Sequence, residues 1–356
     1  MISEIGSNFW EYSLSKSVHP FGFPWDKSEF NHVFFKSGRN AIKALCQILS
    51  CEKRVALPAY TCSTVIDPFI SEGWQVSFYR IKKDMTVDLD SLMELVFEKK
   101  PSAVLVHSFF GLDTLGTDSE WIEGLKRKGI IIIEDMTQSL FSPHRLENAD
   151  YYVSSLRKFF AIPDGGVLFS SRTLDRLCDI SISDSSIADT ALKAFNLKAE
   201  YFVSGNLEIK QQFREAYQQL NSLISDNSNI SDISNVSLSI LAGVDVKNMA
   251  KHRRENYLRI EERINHVEPV LKCSLGDSVP LYYPVYVEGE RKELQEYLAS
   301  RNIYCPVIWP RPNAVTSLDK NLEYMYENML CIPIDQRYSS VDMDRIVSSI
   351  EEFYTR

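Results

Sequence analysis

Residues 130–138, Ile130-Ile-Ile-Ile-Glu134-Asp135-Met-Thr137-Gln138, join a continuous apolar run to a pair of carboxylates. Four consecutive β-branched residues favour a buried β-strand. A carboxylate at the end of such a strand needs a partner, because an unpaired buried charge is costly. That partner is either the backbone of a following helix, which Asp135 would cap, or a cationic nitrogen of a ligand.

On both sides of this segment, short apolar runs alternate with amphipathic stretches, which predict strands and helices respectively. The predicted strands are residues 54–58, 75–81, 103–107, 130–134 and 166–170, and the predicted helices are residues 39–50, 62–72, 88–99 and 118–128. This alternation predicts an α/β fold with parallel strands and helices on both faces. Ligands of such sheets bind at the carboxyl ends of the strands.

The C-terminal half has a different pattern, from which we predict two domains. Residues 172–250 read as helices around a polar loop at 225–234 and are expected near the substrate site. A long surface helix at 247–265 would join a large domain, residues 1–250, to a small α+β domain, residues 251–356. The small domain is predicted to contain strands at 280–287 and 331–334 and helices at 291–301 and 340–354.

Composition excludes several classes of protein. The 356 residues carry a formal net charge of −9, which disfavours binding to nucleic acid or anionic membranes. The seven cysteines are irregularly spaced without a Cys-x-x-Cys pair, so we expect neither disulfides nor a metal site. Residues 1–7 do not resemble a signal peptide, and no apolar run is long enough for a membrane span, which together predict a cytoplasmic location.

Three other segments contain candidate site residues. Ser37-Gly38-Arg39-Asn40-Ala41 leads into a helix, where free backbone N–H groups and the Arg39 guanidinium suit a phosphate, although an ordinary N-cap fits equally. Tyr60, with Thr61 and Cys62 after it, could stack on a flat ring or lie in the core. In Ser154-Ser155-Leu156-Arg157-Lys158, a lysine among apolar residues and beside an arginine can become a nucleophile for an aldehyde, or can be a solvated surface pair.

The order of these segments resembles the DegT/DnrJ/EryC1/StrS family of sugar aminotransferases, within fold type I of the pyridoxal-phosphate (PLP) enzymes. Ser37-Gly-Arg-Asn-Ala41 lies where that family has its Ser-Gly-Thr-x-Ala phosphate turn. Residues 133–138 resemble its strand-end Asp and Gln motif, and residues 155–166 resemble its lysine segment, with Lys158 placed 23 residues after Asp135. Further similar segments are residues 6–10, 253–257, 303–310 and 330–334.

The resemblance implies a role for each site residue. Lys158 would hold PLP as a Schiff base, and Asp135 would pair with the pyridine nitrogen of the cofactor. Gln138 would approach the ring hydroxyl, Thr137 would lie against the ring, and Gly38, Arg39 and Ser154 or Ser155 would bind the phosphate. The implied reaction transfers an amino group from an amino acid, glutamate, to a nucleotide-linked keto-sugar by a ping-pong mechanism, in polysaccharide biosynthesis.

Several departures from the family pattern leave alternatives open. The ring-stacking aromatic of the family aligns with Cys62, so Tyr60 would take that role or it would be absent. The chain has no clear match to the Asn-x-Arg segment that a neighbouring subunit offers to the phosphate. Asn235 is the nearest candidate, and we expect a homodimer in which the loop at 225–235 reaches across the two-fold axis. A PLP-dependent sugar dehydratase and a non-catalytic PLP-binding protein remain alternatives, although the dehydratases of the family replace the lysine with histidine.

Overall fold

A computed structural model describes residues 4–14, 22–116, 120–175, 177, 180–226, 228–271, 274–317 and 319–356. Seven strands form a mixed sheet in the order β1-β7-β6-β5-β4-β2-β3. These strands are β1 Asn31–Phe35, β2 Arg54–Pro58, β3 Gln75–Tyr79, β4 Ala103–His107, β5 Ile131–Asp135, β6 Tyr151–Ser155 and β7 Gly166–Ser170. A smaller antiparallel sheet contains β8 Glu268–Pro269, β9 Tyr282–Tyr286 and β10 Met329–Pro333, in the order β10-β9-β8.

Helices separate most of these strands along the chain. They are α1 Gly38–Ile48, α2 Ser63–Ser71, α3 Leu89–Lys99, α4 Glu120–Arg127, α5 Ser185–Ser204, α6 Leu207–Ser225, α7 Asn235–Ala242, α8 Val246–Arg263, α9 Arg291–Ser300, α10 Lys320–Asn328 and α11 Ser340–Thr355. Capping residues fix where several of them begin, since Ser37, Asp88, Asp184, Asn206, Ser234 and Asp319 each accept a hydrogen bond from the first turn. No described helix is long and apolar enough to cross a membrane.

The chain divides into two compact units that interleave along the sequence. The first unit includes Asn8–Ser50 and Tyr151–Val246, and the second includes Glu4–Ser7, Cys51–Asp150 and Lys247–Arg356. The first therefore contains β1, β6, β7, α1 and α5–α7, and the second contains the remaining strands and helices. The domain boundary that we predicted at residues 250/251 stays a prediction.

In the second unit, the segments predicted as alternating strands and helices form a parallel sheet with helices packed on it. Strands β2, β3, β4 and β5 pair in parallel, and helices α2, α3 and α4 pack on them. β4 is buried at all five positions, as expected for a strand with helices on both faces. The residues that follow these strands therefore lie at one edge of the parallel sheet, where we expected the site.

The first unit differs from the prediction in two ways. Residues 166–170 form the predicted strand β7, but it pairs antiparallel with both β1 and β6, so the predicted, mostly parallel sheet has an antiparallel part at this strand. We did not predict β1 or β6, because β1 has the sequence Asn-His-Val-Phe-Phe and β6 has the sequence Tyr-Tyr-Val-Ser-Ser, and neither is an aliphatic run. Their aromatic residues contact Phe169 of β7 or the nearby Trp25.

The strands and helices predicted for the C-terminal half are present, but one predicted helix differs in its burial from the prediction. The predicted helix at 247–265 is α8, but it is not a simple surface helix, since Met249, Arg253, Tyr257 and Ile260 form a buried stripe at helical spacing. Helix α10 was not predicted. Among the described cysteines, Cys46, Cys51, Cys62, Cys305 and Cys331 are free thiols, whereas Cys178 and Cys273 lie outside the described residues.

Candidate active site

In the second unit, Asp135 lies at the carboxyl end of β5 and is 4% exposed. Its Oδ1 accepts a hydrogen bond from the backbone N–H of Thr137 at 2.8 Å, and its Oδ2 lies 3.5 Å from Nδ1 of His107. Turns rather than a helix follow Asp135. In the alternative interpretation, Asp135 would therefore stabilise a local turn and not the start of a helix. Both oxygens of this carboxylate are therefore oriented by the protein.

His107 is a functional candidate that we did not identify from the sequence. It ends β4, directly beside Asp135 in the register of β4 and β5. Its Nε2 lies 2.7 Å from the hydroxyl of Thr61, which follows β2. Burial lowers the pKa of His107, although Asp135 opposes the shift. A neutral ring with its proton on Nδ1 would donate towards Asp135 and accept from the hydroxyl of Thr61. The sequence contained a signal for this role, because His107 ends the predicted strand that precedes the strand of Asp135.

Gln138 and Thr137 follow Asp135 in the same turn. The Oε1 of Gln138 accepts a hydrogen bond from the backbone N–H of Phe110 at 2.7 Å. The amide NH₂ of Gln138 is therefore the group that can donate to a ligand oxygen. Thr137 is half-buried. Next to Gln138, the hydroxyl of Ser139 is buried without a hydrogen-bond partner, which is unusual for a buried polar group.

Tyr60 lies in the core of the second unit. Its side chain is completely buried, its hydroxyl donates to the backbone oxygen of Ile308, and its ring contacts Tyr326 and Trp309. This placement favours the core interpretation of Tyr60, and a role against a cofactor ring stays a prediction. Cys62 is half-buried at the N-cap of α2, where its Sγ accepts a hydrogen bond from the hydroxyl of Thr64 at 3.0 Å.

Trp309 is a further aromatic residue near Asp135 that sequence reasoning missed. The centroid of its ring lies 5.5 Å from that of His107 and 5.7 Å from that of Tyr60. The sequence contained no local signal for this contact, since more than 200 residues separate Trp309 from His107.

In the first unit, the predicted phosphate turn forms a close-packed cradle. Ser37 caps α1 by accepting a hydrogen bond from the N–H of Asn40 at 3.2 Å. A Cβ on Gly166 would lie 2.2 Å from the carbonyl carbon of Ser37, and one on Gly38 would lie 3.3 Å from Cβ of Ser155. Only glycine at 166 allows this approach of the α1 N-terminus to β7, whereas a Cβ at 38 would be in tight contact with Ser155. The turn, Ser155 and Gly166 thus meet, and the binding of a phosphate there stays a prediction.

The lysine segment follows β6 as a single 3₁₀ turn, Leu156–Lys158. Ser154 is completely buried, Ser155 and Arg157 are half-buried, and Lys158 is exposed although Phe159 beside it is buried. The exposure of Lys158 fits the alternative of a solvated lysine, since only its neighbours face the core, and the role of Lys158 as a nucleophile stays a prediction. Its exposure leaves the amine accessible from solvent.

Asp164, from the Asp-Gly-Gly sequence after Lys158, has a structural role that we did not predict. It is completely buried and accepts hydrogen bonds from the backbone N–H and the hydroxyl of Ser234 at 3.0 and 2.6 Å, and from the hydroxyls of Ser237 and Ser183. Burial raises the pKa of this carboxyl, and the hydrogen bonds oppose the shift. Asp164 thereby anchors the start of α7.

Burial also raises the pKa of Glu134, which precedes Asp135, to about 7 from an ordinary value of 4.5. Its Oε1 accepts a hydrogen bond from the hydroxyl of Ser108 at 2.7 Å and its Oε2 from the N–H of Leu146 at 2.8 Å. It therefore connects the loops that follow β4 and β5.

A group with a raised pKa stabilises the fold in its protonated form, so this contribution is lost as pH rises from about 4.5 to about 7. We expect the free energy of unfolding of the wild type, relative to Glu134→Gln, to fall by about 3 kcal/mol between pH 4.5 and pH 8. Urea unfolding of both proteins across this range measures it. A constant difference between the two proteins would contradict the assignment.

Each of the two units, taken by itself, contains residues that fit a part of PLP. The glycine cradle at Ser37–Gly38 has the form of a phosphate turn, and Ser139 near Asp135 has a buried hydroxyl without a partner. No group of three or more His, Cys, Asp or Glu side chains that could hold a metal ion occurs among the described residues.

Comparison with known structures shows that the fold is that of the PLP-dependent aminotransferases. DesV from S. venezuelae is 17% identical, with a TM-score of 0.65 over 91% of this chain and 85% of that one. A DegT DnrJ EryC1 StrS aminotransferase from Brucella abortus is 17% identical, with a TM-score of 0.64 over 92% and 86%. PseC of Helicobacter pylori, an aminotransferase of pseudoaminic acid biosynthesis, is 15% identical, with a TM-score of 0.63 over 90% and 86%.

No protein-family model and no curated protein matches the sequence. The similarity is therefore one of fold, as the resemblance predicted.

Proposed function

We propose that this protein is a PLP-dependent aminotransferase that transfers an amino group from an amino acid, glutamate, to a nucleotide-linked keto-sugar. The observation that carries the proposal is the strand-end Asp135, with both carboxylate oxygens oriented by Thr137 and His107, in a fold that known sugar aminotransferases share. The Lys158 segment and the glycine cradle supply the other two features that such an enzyme needs.

In this proposal, PLP supplies an aldehyde and an electron-withdrawing ring that stabilises negative charge on the substrate carbon. Lys158 would hold the aldehyde through its amine and, as a base, would move a proton at the substrate carbon. Asp135 would pair with the pyridine nitrogen, and His107 would keep Asp135 in position. The amide NH₂ of Gln138 would donate to the ring oxygen, and the cradle of Gly38, Arg39 and Ser155 would bind the phosphate.

The proposal also includes the two faces of the cofactor ring. Thr137 would lie against one face of the cofactor ring, and Cys62 or Tyr60 would lie near the other. The homodimer and the cytoplasmic location are likewise proposed. The resemblance supports the dimer, and the net charge of −9 with the absence of a spanning helix among the described residues supports a protein that works in aqueous solution.

Cofactor spectra test the proposal. The purified protein with PLP should be yellow, glutamate should bleach the colour as the cofactor takes up the amine, and a nucleotide-linked keto-sugar should restore it. A colourless protein after incubation with PLP would refute a PLP enzyme. A colour that no amino acid changes would favour the non-catalytic alternative, and a sugar product that loses a hydroxyl without gaining an amine would favour the dehydratase.

A further inference from the structure

The C-terminal end of α6 is held by three cationic side chains from around the phosphate turn. Nζ of Lys36 donates to the backbone oxygen of Asp226 at 2.6 Å, and Nη1 of Arg39 lies 3.4 Å from the backbone oxygen of Ser225. Nη2 of Arg157 lies 3.5 Å from Oδ1 of Asn221, one helical turn earlier. Cations are favoured at this end of a helix, where the carbonyl groups lack intrahelical partners.

The loop that follows α6 is also bound to this turn rather than projecting from the chain. The N–H of Ser231 donates to Oδ1 of Asn40 at 3.0 Å, and the backbone oxygen of Ser231 accepts from the N–H of Lys36 at 2.8 Å. Ser234 is tied to the buried Asp164. Polar groups in the described part of this loop are thus used within the chain, and our expectation that residues 225–235 reach a neighbouring subunit stays a prediction.

Arg39 and Arg157 are both close in sequence to residues of the glycine cradle. Arg39 directly follows Gly38, and Arg157 is two residues after Ser155, which Gly38 approaches. Both side chains are half-buried. Burial lowers the pKa of Arg157 to about 10, Asp164 opposes the shift and the positive charge of Arg39 adds to it. Two neighbouring guanidinium groups repel each other, and a dianion between them would relieve that repulsion.

We propose that Arg39 and Arg157 of the same chain both bind the phosphate of the cofactor, and that Ser225 and Asn221 of that chain hold them in place, so the phosphate site is complete within one subunit. This inference rests on the proposed use of PLP. It accounts for the missing Asn-x-Arg segment, because the charge that a neighbouring subunit would offer is present in the chain itself.

Titration with PLP and with pyridoxal, which lacks the phosphate, tests the inference without measuring activity. Arg39→Gln and Arg157→Gln should each raise the Kd for PLP about tenfold or more, which is the effect of losing one charge-assisted contact. The Kd for pyridoxal should change less than twofold. Arg157→Lys keeps the charge and should retain most of the affinity, and the exposed Arg214→Gln on α6 should behave as the wild type.

The Kd for PLP should also be the same at protein concentrations below and above the range in which subunits associate. Normal PLP affinity in both glutamine variants, or PLP affinity that rises with subunit association, would overturn the inference and leave the proposed function intact. A wild-type protein that binds neither PLP nor pyridoxal would overturn the proposed function and the inference together. Melting curves of each variant identify any that fail to fold, and Arg157→Lys then decides.

Discussion

Borohydride reduction of the PLP-loaded protein should attach the cofactor permanently to Lys158, and Lys158→Ala should abolish both the adduct and turnover. The amine of Lys158 is exposed on the turn that follows β6, within the segment that resembles the lysine motif. Loss of the group that binds the aldehyde and moves the proton should lower kcat by roughly 10²-fold to 10⁴-fold or more. Mass mapping of peptides locates the adduct, and single-turnover spectra measure the rate.

Lys36 is the sharpest control for this result. It lies beside the phosphate turn, and burial lowers its pKa, which favours the unprotonated, nucleophilic amine. Its Nζ is nevertheless engaged with the backbone oxygen of Asp226. Lys36→Arg should therefore leave the adduct on Lys158 unchanged. An adduct on Lys36, or on any lysine other than Lys158, would disprove the assignment.

Asp135→Asn should keep the fold and most of the bound PLP but lower kcat by roughly 100-fold or more, as expected when one electrostatic contact to developing charge is removed. The fold should survive because the oxygen of asparagine can still accept the hydrogen bond from the N–H of Thr137. The rate should fall because an amide cannot hold the pyridine nitrogen in its protonated state. Rapid mixing with the amino donor measures the rate, and melting curves monitor the fold.

Asp113→Asn is a matched control for this variant. Asp113 lies in the loop after β4 of the same unit, and its partly exposed carboxylate lies 3.9 Å from His144. Removing that charge should leave the rate of the first half-reaction within about twofold. A nearly normal rate in Asp135→Asn would mean that Asp135 only stabilises its turn.

Local pattern predicted most elements of the second unit. Strands β2 to β5 and helices α2 to α4 lie within a few residues of their predicted positions, because parallel strands covered by helices have continuous aliphatic sequences that are easy to identify. The sequences of the antiparallel strands β1 and β6 have no such aliphatic run. Their stability comes from pairing with β7 and from aromatic contacts such as that of Tyr152 with Phe169, and such long-range contacts are not encoded in any short window of sequence.

For the candidate site residues too, the sequence determined some properties and the tertiary structure determined others. The sequence by itself determined which residues follow which strands, because the order of Ser37, Asp135 and Lys158 along the chain needs no tertiary information. The need for glycine at 166 is tertiary, because the backbone there approaches Ser37 more closely than any Cβ allows.

Only the tertiary structure decided which neighbours those residues have. It placed His107 against Asp135, enclosed Tyr60 completely, exposed Lys158 and folded residues 228–234 onto the turn of their own chain. Each of these outcomes depends on residues far apart in sequence, such as Asn40 and Ser231, whose contact satisfies buried polar groups that neither segment could satisfy alone. Burial and pairing are set by the whole packed unit, and a local pattern of residue types does not contain them.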